Sequence, residues 1–166
     1  MKKWKVKKAI ISKQFESTAN FQEFLKIAED KKIEIIVVEA NHQIHIEQNL
    51  YFDILWPDSS HVLSKNSINN NALVCKLSYK NFSCLFTGDI EEEAEKVLIS
   101  KYQGTNGLKS TVLKIAHHGS KSSSTEEFLE LVQPKIALIG VGENNKFGHP
   151  NDSVIERLTN LRSKNL

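Results

Sequence analysis

Cysteine is scarce, long apolar runs are missing, and neither sign of charge prevails by much. Each shortage closes off a class of protein. The two cysteines among 166 residues, Cys75 and Cys84, sit inside apolar, strand-like runs. They read as buried reduced thiols, not as a disulfide framework. No stretch reaches the roughly 20 apolar residues of a membrane-spanning helix. The basic start MKKWKVKK leads into too short an apolar stretch for a secretory signal, so the chain reads as cytoplasmic, with no transmembrane segment. With 22 Lys and Arg against 20 Asp and Glu, the formal charge of +2 is too small to argue for a nucleic-acid or membrane partner by itself. The lysines are spread out and no aromatic-basic stripe appears, which speaks against a plain nucleic-acid-binding module. No internal repeat or linker divides the chain, and a 40% hydrophobic content suits one domain with an ordinary core.

What is present is organised around Thr111–Ser124, read TVLKIAHHGSKSSS. A short apolar run delivers His117, His118 and Gly119 into a turn, as an α/β scaffold presents ligands at a strand's carboxyl end. Cys84–Asp89 (CLFTGD) repeats the design with a carboxylate at a glycine turn, and Lys146–Pro150 (KFGHP) follows the apolar run Ile136–Val141. Three strand ends thus offer an Asp, a His pair and a His, the ligand alphabet of zinc, manganese or iron.

In chain order, Val6–Ser12 reads as a strand with a polar tip to Ala19. Helix Asn20–Lys31 follows, capped by Ser17 or Thr18, with Phe21, Phe24, Leu25 and Ala28 at helical spacing. Ile33–Glu39, Gln43–Glu47 and Tyr51–Trp56 read as strands. Asp58–Asn71, dense in Ser, Asn and Asp, reads as a long loop, of the kind more often functional or mobile than idle. A hairpin, Leu73–Tyr79 and Phe82–Thr87, ends at Asp89. Beyond it come helix Glu91–Tyr102, the central strand to His117, a helix with Phe128, Leu129 and Val132 inward, strand Ile136–Val141, and a last helix carrying Val154, Leu158 and Leu161.

Each candidate has a plainer alternative. Asp89 suits the N-cap of the following helix as well as it suits a metal. His149 alone reads equally as a loop residue, whereas two adjacent histidines before Gly119 are harder to explain as packing. His42, His45 and His61 are assigned no site role.

Five motifs in order, NNNALV (69–74), LFTGDIEEEAE (85–95), VLKIAHHGSKSSS (112–124), FLELVQPKIALIG (128–140) and NNKFGHP (144–150), resemble the carboxy-terminal metallo-β-lactamase-fold domain of ComEC-type competence (DNA-uptake) proteins and their free-standing hydrolase relatives. The resemblance runs from about Lys5 to the end. It implies an α/β (α+β) fold, the αββα sandwich, with two divalent ions (zinc or manganese) at one edge between two sheets. It makes Asp89 the bridging ligand and His118, in preference to His117, the final one. His117, Ser120 and His149 resemble positions around the substrate phosphate, and Ala72 stands where the family commonly has Ser.

The family's HxHxDH-type motif (often HxDxDH), which supplies the main ligands, does not occur here. The expectation is therefore a single partial domain over residues 1–166, the carboxy-terminal half of the fold. Its partner would be an N-terminal half-domain in trans or a second copy. Two functions follow: a metal-dependent phosphodiester hydrolase acting on nucleic acid, or an inactive truncated or split remnant serving as a non-catalytic subunit or interaction module. By itself the chain is expected to be inactive.

Overall fold

The computed structural model describes residues 5–13 and 17–164, and residues 14–16 of the polar tip expected after the first strand lie outside the described residues. The elements are β1 (Lys8–Ser12), α1 (Ala19–Asp30), β2 (Glu34–Val38), β3 (Gln43–Glu47), β4 (Leu50–Trp56), α2 (Ser67–Asn70), β5 (Val74–Tyr79), β6 (Phe82–Phe86), α3 (Glu92–Tyr102), β7 (Val112–Lys114), α4 (Glu126–Val132), β8 (Ile136–Leu138) and α5 (Asp152–Lys164). The protein is a mixed α/β fold. Among the described residues, β1 and β2 pair in parallel as a separate ribbon, and a six-stranded sheet runs β3-β4-β5-β6-β7-β8.

Sequence distance explains the direction of each pairing. β3–β4 and β5–β6 are antiparallel hairpins closed by short turns, and β4 pairs antiparallel with β5 across the longer connection that carries α2. β6, β7 and β8 are parallel, because α3 and α4 intervene as crossovers. All three parallel strands therefore end on one edge of the sheet, where ligands gather in such folds.

One face of the sheet is the core. Leu55, Leu85 and Leu113 pack against Ile90, Ala94 and Leu98 around α3, Phe128, Leu129 and Val132 of α4, and Val154 and Leu161 of α5. The helices expected from apolar periodicity are all present, and Thr18 caps α1 by accepting the Phe21 amide at 3.2 Å. Strand alternation puts Phe52, Leu77, Cys84, Phe86, Val112, Ile136 and Leu138 on the opposite face, since directly paired residues share a face. That face is buried at Ile54 but open at its far end, where Ile136 and Leu138 are half exposed.

Three expectations change. β7 stops at Lys114, three residues before His117, and lies one place from the sheet edge instead of at its centre. The run Ile136–Val141 is a strand only to Leu138, because β8 is the edge strand and the chain turns away at Gly140. The stretch Asp58–Asn71 is tied down: it contains a bridge between Asp58 and His61, the helix α2, and the buried amides Asn70 and Asn71. Asn71 bonds Leu63 through both ends of its amide, and Trp56 Nε1 donates to the Asn70 carbonyl at 2.6 Å.

Candidate functional site

The edge where β6, β7 and β8 end is built by short ties between strand ends. Thr87 Oγ1 donates to the Lys114 carbonyl at 2.6 Å, and the His117 amide to the Gly88 carbonyl at 3.1 Å. After Ala116 the backbone makes a tight left-handed turn. His117 has φ 47° and ψ 41°, His118 φ 54° and ψ 22°, and Gly119 φ 83°. A left-handed histidine costs on the order of 1 kcal/mol, so two in succession persist only where the surroundings hold them. Here Gly119 lies against Pro150, and its carbonyl accepts the Asn151 amide at 2.8 Å.

That turn sends the two rings apart. His118 Nδ1 lies 2.6 Å from the Gly140 carbonyl. A carbonyl only accepts, so Nδ1 carries the proton and Nε2 keeps its lone pair. Nε2 in turn lies 3.8 Å from Asp89 Oδ1, with both side chains about half exposed. Two donors at roughly 2.0–2.1 Å from one tetrahedral ion stand about 3.3 Å apart. The observed gap is about half an ångström wider than that tetrahedral edge, while a histidine anchored through its second nitrogen is the usual state of a metal ligand. These are two donors, fewer than a metal requires. Among the described residues, no group of three or more His, Cys, Asp or Glu side chains is arranged to hold an ion. Asp89 is not the helix cap, because α3 is capped two residues later, at Glu91.

His117 turns to the other side. Its ring meets that of His149 edge-on, centroids 5.8 Å apart, and Phe147 stacks on the far side of His149 at 5.9 Å. Asn145 clamps His149, donating to its carbonyl at 2.8 Å and accepting its amide at 3.0 Å. His118, Gly140, Phe147 and His149 share the wall of a cavity of about 220 Å³. Ser120 is buried, and its hydroxyl is hydrogen-bonded to that of Ser122 at 3.0 Å.

The structure thus brings together Asp89 with His118 and His117 with His149, and sets Ser120 behind them. His42, bonded to the Glu39 amide, His45, against Tyr51, and His61, against Trp56, are occupied elsewhere. Glu91 and Asn145 were missed by sequence reasoning. Glu91 lay within an acidic run that reads as a helix start, and Asn145 in a polar loop. Glu91 Oε2 accepts from Asn66 Nδ2 at 2.6 Å and its Oε1 from Ser122 Oγ at 3.3 Å. Oε1 also lies 3.5 Å from His117 Nδ1, an atom that is buried and has no hydrogen-bond partner.

Fold and site together define a mixed α/β protein with a cluster of ionisable side chains at the carboxyl edge of its parallel strands. No family model matches the chain. It is 35% identical over 158 residues to ComE operon protein 3 of Bacillus subtilis, covering 95% of this chain and 20% of that protein. It is 36% identical over 116 residues to Recombination protein 2 of Haemophilus influenzae, covering 70% of this chain and 14% of that one. Competence protein ComA of Neisseria gonorrhoeae is 36% identical over 109 residues, 64% of this chain and 15% of that protein. The chain belongs to the ComEC-type competence family. It spans no more than a fifth of the length of these curated relatives.

Proposed function

We propose that the chain is the carboxy-terminal half of a metallo-β-lactamase-like αββα sandwich, a metal-dependent hydrolase of phosphodiesters that acts on nucleic acid in a DNA-uptake system. The observation that carries this is the pairing of Asp89 with His118, whose Nδ1 is fixed on Gly140 and whose Nε2 faces the carboxylate at 3.8 Å. The kinship with competence proteins supports a DNA-uptake setting, and phosphodiesters of nucleic acid are the substrate class we propose for it. In this reading Asp89 and His118 hold the metal, with the remaining ligands contributed by an N-terminal half-domain or, failing that, by a second copy. When bound, two divalent ions (zinc or manganese) supply an activated water and neutralise phosphoryl oxygens. His117 and His149, ring against ring, carry the proton to the leaving oxygen. Ser120 supports the turn through Ser122.

The test is reconstitution. The chain is combined with an upstream half-domain bearing the HxDxDH motif, and hydrolysis of a phosphodiester is followed with zinc or manganese. Asp89→Ala should remove activity almost completely, while His149→Ala should cost about 10²-fold, as expected of a proton-transfer group. The reverse order, with Asp89→Ala nearly silent, sinks this assignment.

A second reading, a non-catalytic subunit, rests on donor count, since Asp89 and His118 are two and zinc takes three or four protein ligands. Under either reading the isolated chain should bind zinc no tighter than micromolar, about −8 kcal/mol. Stoichiometric zinc surviving dialysis against a chelator would show that the chain already holds a complete site.

A further inference from the structure

His117 presents a puzzle that the reading above leaves open. An imidazole has two nitrogens with different jobs, and a proton-transfer role needs one of them committed to the protein so that the other is free. His117 Nδ1 is buried without a hydrogen bond, and a carboxylate oxygen of Glu91 stands 3.5 Å away.

Glu91 is itself held from several directions. Its side chain is only 13% exposed. Its amide donates to Asn70 Oδ1 at 3.0 Å, Asn66 Nδ2 holds Oε2, and Ser122 Oγ donates to Oε1. The neighbouring Glu92 amide donates to the Ser122 carbonyl at 2.9 Å. The carboxylate therefore cannot swing toward solvent without breaking its bonds to Asn66 and Ser122. Across from it, His117 is fixed by its left-handed backbone and by its amide bond to Gly88. Glu91 caps α3 by position, yet its side chain makes no capping bond to the helix. It is turned toward the imidazole.

We infer that Glu91 is a positioning residue. Its carboxylate fixes His117 as the Nδ1–H tautomer and so leaves the Nε2 lone pair for the substrate side. The role in catalysis rests on the hydrolase reading above, but the tautomer does not. The pair also gives the segment Asn66–Asn70 a purpose, since it braces the carboxylate from behind.

The test is nitrogen NMR on the full chain with ¹⁵N-labelled histidine, at about pH 8.5, two units above the ordinary imidazole pKa of roughly 6.5. The wild-type protein should show His117 protonated at Nδ1. Glu91→Ala should shift it to the Nε2–H form. Glu91→Asp keeps an acidic residue at the helix start but draws the carboxylate back by one methylene from Asn66, Ser122 and His117, so it should melt somewhat below wild type, still cooperatively, while His117 loses the Nδ1 proton. His118, anchored on Gly140, should be unchanged in both variants. Should wild-type His117 carry its proton on Nε2, or keep it on Nδ1 in both variants, the inference is overturned. In the reconstituted enzyme, Glu91→Asp should lower kcat about 10- to 100-fold with KM unchanged. A correct tautomer shift in a reconstituted protein without phosphodiesterase activity would sink the hydrolase reading and leave the positioning intact.

Discussion

Glu95 is fully buried, yet it is not part of the candidate site. It accepts from the Ser124 amide, from the Thr125 amide at 2.8 Å and from Thr125 Oγ1 at 2.8 Å, so it ties α3 to the start of α4. Burial pushes its carboxyl above the usual range, against the Thr125 and Ser124 donors that favour the ionised form. A carboxyl raised on folding is bound more tightly to its proton in the native state. Its contribution to stability is therefore greatest below the unfolded value near 4.5 and is lost as pH rises toward the raised native value. Denaturant titrations from pH 4 to 8 should show that decline in the wild type and not in Glu95→Gln. Glu95→Ala should cost about 1–3 kcal/mol by leaving donors without an acceptor. The Cys75 thiol belongs to the same scale: burial, aided by nearby Cys84, pushes it up to about 11. At pH 8 it should react with a thiol reagent far more slowly than a free cysteine, and a rate matching the free amino acid would show that β5 is open to solvent.

Among the elements, the turn Ala116–Gly119 matters most, because it joins the ends of β7 and β8. Gly119 has φ 83°, and a Cβ there would stand 2.8 Å from Pro150 Cβ and 3.0 Å from its Cα. Gly104 provides the control, with φ 78° and nothing within 4 Å of an added Cβ. Gly104→Ala should lose about 1 kcal/mol to backbone strain alone, and Gly119→Ala about 1–3 kcal/mol more, as judged by their midpoints in urea. Equal losses would mean that the turn does not bear on Pro150. The same turn marks how far the sequence could be read. Helices α1, α3, α4 and α5 were visible because each repeats its apolar residues at 3.6 spacing. The carboxyl edge was visible because apolar runs give out just before Asp89 and His117, and because His149 follows the run Ile136–Val141 in a glycine-bearing loop. Helix α2 was not, since Ser67–Asn70 is mostly polar and is held by amides that find partners only in the folded chain. Nor was the left-handed histidine pair, which packing around Gly119 imposes against residue preference. Glu91 was hidden for a related reason: a glutamate at a helix start looks ordinary until His117 is seen beside it.

At the scale of the molecule, helices α3, α4 and α5 pack on one face of the six-stranded sheet, while Phe82, Phe86, Ile136 and Leu138 remain substantially exposed on the other. Apolar patches beyond a few hundred square ångströms are unusual on a lone monomer. The isolated chain should bind a hydrophobic dye or self-associate, and Phe86→Lys with Leu138→Lys should reduce both. A monodisperse wild-type monomer without dye binding would count against an open face. Among the described residues no helix is long and apolar enough to cross a membrane. The arrangement of the sheet also has a bearing on time. β3–β4 and β5–β6 pair through short turns, whereas β7 and β8 find their places only after α3 and α4 have crossed over. Contacts between near neighbours form early and distant ones late, so the hairpins β3–β4 and β5–β6 should form first in folding and the histidine edge should be among the last parts to assemble. In the native state the edge strand β8 is exposed along its length, so its amide hydrogens should exchange with solvent before those of β4 and β5. The cluster of Asp89, His117, His118 and His149 then lies beside the most exposed strand of the sheet.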